Sequence, residues 1–123
     1  MPYRGGVVSF TGKTVLILED EPIIAMGLED MLLDTGAEVV VSASVPQALT
    51  ALEKARVDCA VLDVNLHGAK SYPVAARLNE LRVPFIFATG YGDAEHPAEF
   101  ADWPTLTKPY RLSDIRTMLE CGD

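Results

Sequence analysis

Apolar residues fall into short runs separated by stretches of helical period. Thr14–Leu18, Cys59–Leu62 and Phe85–Ala88 are almost continuously apolar; Glu38–Ser42 is another run and Thr105–Thr107 a weaker fifth. Continuous runs of this length mark strands buried on both faces of a parallel sheet. Between them, Ile24, Leu28, Met31 and Leu32 fall at i, i+4, i+7 and i+8 and predict a helix that Gly36 stops. Val45, Leu49 and Leu52 predict a second, opened by the capping-box pair Ser44 and Gln47. Val74, Leu78 and Leu81 predict a third that ends before Pro84, and Leu112, Ile115 and Leu119 a last one. Gly92–Pro104 carries only a weak stripe, Ala94, Ala98 and Ala101. Pro97 interrupts any helix it does not start, so a fourth helix is expected to be short or disordered.

Strands alternating with helices imply βαβ units and a doubly wound α/β fold. The 123 residues, 49% of them hydrophobic, suit one domain with one substantial core. Eighteen acidic against ten basic side chains give a net charge of −8. That balance argues against a nucleic-acid binder, which needs clustered Lys and Arg, and against docking on an anionic membrane. Cys59 and Cys121, 62 positions apart, form neither a disulfide framework nor a CxxC pair, and Cys59 reads as a small core residue. The first ten residues hold no apolar signal core, and no run reaches the roughly 18 residues of a membrane span. A cytoplasmic protein is therefore expected.

Ligands of doubly wound sheets bind beyond the carboxyl ends of the strands. The residues there are Glu19, Asp20 and Glu21 after the first run, Asp63 and Asn65 after the third, Thr89 after the fourth and Lys108 after the fifth. Clustered carboxylates repel unless a cation joins them, and hard oxygen ligands suit Mg²⁺. A carboxylate beside Mg²⁺ can attack phosphorus, a lysine can balance charge on a transferring phosphoryl group, and a threonine hydroxyl can donate to its oxygens. Glu21 has a simpler reading, an acid favouring the positive end of a helix.

The runs V-L-I-L-E-D-E-P, A-V-L-D-V-N-L, F-A-T-G-Y and T-K-P-Y, in this order, resemble the receiver domain of bacterial two-component response regulators from about Lys13 to Glu120. F-A-T-G-Y at Phe87–Tyr91 resembles the FAT GUY subgroup of these receivers. The resemblance implies a five-stranded parallel sheet of order 2-1-3-4-5, with residues 1–12 as an N-terminal extension and 13–123 as a stand-alone receiver. It implies that Asp63 accepts phosphoryl from a sensor histidine kinase. Glu19, Asp20, Asp63 and the backbone carbonyl of Asn65 would hold Mg²⁺, Thr89 would be the switch hydroxyl, Lys108 would bind the phosphoryl group, and the Lys108–Pro109 peptide would be cis. Such a chain catalyses only its own phosphorylation and dephosphorylation. It would act as a monomer, with dimerisation on activation as an option, and would signal through a downstream protein.

Some positions depart from the family pattern. Thr105 stands where many receivers carry an aromatic switch residue, His67 stands where a proline is common, and the interval from Thr89 to Lys108 is short. Other readings are a phosphate sink for the kinase and a non-phosphorylated adaptor of the same fold. A haloacid-dehalogenase phosphatase needs a D-x-D motif after its first strand, whereas Asp63 follows the third and has Asn65 at the second position. In a flavodoxin, Glu19–Asp20–Glu21 would repel the FMN phosphate.

Overall fold

The computed structural model describes residues 10–66, 68–89, 105–107 and 113–115, with the side chains of Thr89 and Thr107 outside the description. The elements run β1 Thr14–Leu18, α1 Pro22–Leu33, β2 Glu38–Ser42, α2 Val45–Lys54, β3 Cys59–Asp63, β4 Asn65–Leu66, β5 Ala69–Lys70, α3 Tyr72–Glu80, β6 Phe85–Thr89 and β7 Thr105–Thr107. Five parallel strands form one sheet in the order β2-β1-β3-β6-β7. The small antiparallel pair β4–β5 stands apart from it. Counting only the strands of the large sheet, the order is the expected 2-1-3-4-5.

Alternate residues of the central strands supply two cores. Leu16 and Leu18, Ala60 and Leu62, and Phe85 and Phe87 pack with Ala48 and Leu52 of α2 and Val74, Ala75 and Leu78 of α3. Val15 and Ile17, Cys59 and Val61, and Ile86 and Ala88 pack with Leu28 and Leu32 of α1 and with Ile115. This alternation explains the continuous apolar runs: each face of the sheet meets a helical layer. The edge strand β2 is only partly covered. In the first core, Phe87 meets Phe85 and Tyr72 edge-on, with ring centroids 5.4 and 5.6 Å apart.

Phe10 is fully buried in the second core. Thr11 donates through its hydroxyl to the Thr35 carbonyl, and the Gly12 N–H to that of Gly36. Residues 10–12, counted with the N-terminal extension on sequence alone, thus pack against the turn after α1.

Two helical faces differ from expectation. In α1 the buried positions are Ala25, Leu28 and Leu32, while Ile24 is exposed, and so are Ile23 and Met26. The small Ala25 takes a buried place on the helix, and the larger Ile24 beside it stays exposed. In α3, Val74 and Leu78 are buried as expected with Ala75, but Leu81 caps the helix and is exposed. Helix α2 begins as predicted, with the Gln47 N–H donating to Ser44 Oγ at 3.2 Å. The return bond runs from the Ala43 N–H to Gln47 Oε1 at 2.7 Å, one residue before the cap.

Cys59 is a core residue as expected, yet it takes part in a disulfide where a plain thiol was expected. Cys121, the expected fourth helix and the Lys108–Pro109 peptide lie outside the described residues. No described helix is long and apolar enough to cross a membrane.

Candidate functional site

Strands β1 and β3 are neighbours, and their last paired residues are Leu18 and Leu62. One residue beyond that pair stand Glu19 and Asp63, so register alone brings the two carboxylates to the same edge. Pairing continues around them. The Glu19 N–H donates to the Ser42 carbonyl at 3.0 Å, and the Val64 N–H to the Ala88 carbonyl at 3.1 Å. Both acids are therefore held by backbone that is still part of the sheet.

Glu19, Asp20 and Asp63 offer carboxylate oxygens that all lie within 4.8 Å of one another. Glu19 is 4% and Asp63 7% exposed, while Asp20 is half-buried. Glu19 Oε2 also accepts the Glu21 N–H at 3.1 Å, which orients the side chain in the turn into α1. Glu21 is exposed at the N-cap of that helix, where it makes no side-chain cap bond, and Pro22 takes the first helical position.

The donor set fits a hard divalent cation. Octahedral Mg²⁺ with bonds of about 2.1 Å needs ligand oxygens about 3.0–4.2 Å apart, within the spread of the three carboxylates. Like charges gathered this closely repel one another, and a bound cation offsets that repulsion. Bound there, Mg²⁺ would neutralise charge on an incoming phosphoryl group.

Asn65 follows two residues after Asp63 and opens the β4–β5 pair, where it is matched with Lys70. Lys70 Nζ donates to Asn65 Oδ1. Lys70 was not singled out in the sequence. Its one local signal is Gly68, at φ +92, in the two-residue turn between Leu66 and Ala69. Thr89 ends β6 opposite Thr107, so the residue after β7 in sequence is Lys108. The Thr89 side chain, Lys108 and His67 lie outside the described residues. Thr105 pairs with Phe87 on the last strand of the sheet.

Among solved structures, the chain is similar to SdrG from Sphingomonas melonis Fr1, with 39% identity, a TM-score of 0.73 and 94% of this chain and 95% of that one covered. It is also similar to the PhyR receiver domain of Erythrobacter litoralis, with 32% identity, a TM-score of 0.71 and coverage of 88% and 87%. Among curated proteins, it is 32% identical over 110 residues to the transcriptional regulatory protein TcrA of Mycobacterium tuberculosis, covering 85% of this chain and 44% of TcrA. The chain spans about half the length of the curated relatives it matches. The family model described as response regulator receiver domain matches residues 15–120. With the acidic cluster at the sheet edge and the β2-β1-β3-β6-β7 order, that match places the chain in the response regulator receiver domain family.

Proposed function

We propose that the protein is the phosphoacceptor of a His–Asp relay, with Asp63 as acceptor and with Mg²⁺ required for transfer. The observation that carries this reading is the gathering of Glu19, Asp20 and Asp63 oxygens within 4.8 Å at the carboxyl edge of a parallel sheet. In the proposed step an Asp63 oxygen attacks the phosphorus of a phosphohistidine on a sensor kinase. The new P–O bond forms as the P–N bond breaks, and the imidazole leaves. Glu19, Asp20, Asp63 and the Asn65 carbonyl would hold the metal, which would offset the negative charge. Thr89 donates to a phosphoryl oxygen, and Lys108 pairs with another.

The chain acts on no separate substrate in this reading. It catalyses its own phosphorylation and dephosphorylation, and its output is a contact with a partner protein. The net charge of −8 argues against nucleic acid as a partner, and the setting in this reading is the reducing cytoplasm, where the Cys59 disulfide is expected to open. The run Phe87–Tyr91 supports a place in the FAT GUY subgroup.

Acetyl phosphate and Mg²⁺ provide the test, with incorporation read by intact mass. One phosphoryl group per wild-type chain is expected, with none in Asp63→Asn and none in EDTA. Equal incorporation in Asp63→Asn would remove Asp63 as acceptor.

A further inference from the structure

The β4–β5 pair directly follows the acceptor strand. Val64 and Leu66 are buried in the core, so the alternating backbone turns Asn65 the other way, to the side that Asp63 faces. The turn closes at Gly68, whose left-handed φ of +92° lets two residues join the strands, and the Ser71 N–H returns to the Val64 carbonyl at 3.1 Å. This small frame has one evident product. It sets Lys70 across from Asn65 and delivers the ammonium to the amide oxygen.

A primary amide beside an acyl phosphate has two opposite uses. Its N–H groups donate to phosphoryl oxygens, whereas its carbonyl oxygen accepts from a water and can aim that water at phosphorus. Lys70 takes one of the two acceptor positions of that oxygen and so fixes which way the amide turns. The N–H groups are left to donate, and the oxygen is held by the ammonium instead of turning freely to an attacking water.

We infer that Lys70 is a positioning residue which, by holding Asn65 Oδ1, slows hydrolysis of the Asp63 phosphate and lengthens the life of the phosphorylated state. The inference rests on Asp63 being the acceptor. In the hydrolysis that is slowed, water oxygen bonds to phosphorus and the P–O bond to the Asp63 carboxyl breaks. The carboxylate is regenerated, and the water's protons pass to inorganic phosphate and solvent.

The test is a decay measurement. Wild type, Lys70→Ala, Lys70→Arg, Asn65→Ala and the Asn65→Ala/Lys70→Ala double variant are phosphorylated with acetyl phosphate and Mg²⁺. The small donor is then removed and the phosphoprotein followed by intact mass. Lys70→Ala should decay roughly three- to tenfold faster, the effect of one hydrogen bond. Lys70→Arg should decay at the wild-type rate, and removing Lys70 should add nothing once Asn65 is alanine. Unchanged decay in Lys70→Ala, or the same acceleration on either background, overturns the role assigned to Lys70 while leaving the acceptor reading intact. If wild type takes up no phosphoryl group, the acceptor reading fails and the role of Lys70 falls with it.

Discussion

Glu19 accepts the N–H of Glu21 at 3.1 Å through Oε2, so one side chain both fixes the β1–α1 turn and faces the acidic cluster. The two duties are separable by substitution. Glu19→Gln keeps an amide oxygen that can accept the Glu21 N–H, but it removes a charge from the metal ligands. Glu19→Ala removes both. In metal-free buffer, Glu19→Ala should therefore be less stable than Glu19→Gln by about 1 kcal/mol, the value of one hydrogen bond. Urea unfolding with a common m-value measures this difference, while both variants should bind Mg²⁺ more weakly than wild type.

The metal-free cluster is a site of like-charge repulsion. Asp20→Asn or Asp63→Asn removes one of three charges within 4.8 Å, so either variant should match or exceed wild-type stability in EDTA. Mg²⁺ reverses the order, because a ligand that binds only the folded state stabilises it by about 2.7 kcal/mol at a hundred times its Kd. Thermal melts with and without Mg²⁺ should show a large upward shift for wild type and a small one for each variant. Equal shifts in all three would place the ion elsewhere.

Phe87 is fully buried between Phe85 and Tyr72, two residues before Thr89. Phe87→Leu keeps most of the volume and should cost under about 1.5 kcal/mol, whereas Phe87→Ala should cost about 3–5 kcal/mol. Denaturant midpoints distinguish the two. Because β6 carries Thr89 at its end, the alanine variant should also lower the rate of phosphorylation by acetyl phosphate before the domain unfolds.

The strands were legible almost to the residue because helices cover both faces of the sheet, so that the runs Val15–Leu18, Cys59–Leu62 and Phe85–Ala88 must be apolar throughout. The acids were legible for a related reason: a charged residue straight after such a run must stand at the sheet edge. The hairpin was not, since two-residue strands are too short to show a period. Lys70 was lost with it, being an exposed lysine in a loop until pairing sets it opposite Asn65. Ile24 misled because the stripe in α1 runs through the small Ala25 instead. The outer side of that helix keeps Ile23 and Met26 in solvent.

Helices α1 and α3 end in the same motif with different residues at its critical position. After α1, the Ala37 N–H reaches the Leu32 carbonyl and the Gly36 N–H that of Leu33, with Gly36 at φ +90°. After α3, the Val83 N–H reaches the Leu78 carbonyl and the Arg82 N–H that of Asn79, with Arg82 at φ +60°. Both are Schellman endings, which favour glycine where the backbone turns left-handed. Gly36 announced its helix end in the sequence, and Arg82 concealed the other. An L-residue there is strained by about 1–2 kcal/mol, and glycine relieves it at a smaller entropic cost. Arg82→Gly should thus raise stability by about 0.5–1 kcal/mol. Gly36→Ala should lower it by more than about 1 kcal/mol, since strain is joined there by a crowded neighbour. A Cβ on Gly36 would stand 3.1 Å from Thr11 Oγ1 and 3.2 Å from its Cγ2. Paired urea titrations decide the matter: a destabilised Arg82→Gly would mean that the arginine side chain contributes more than its backbone strain costs.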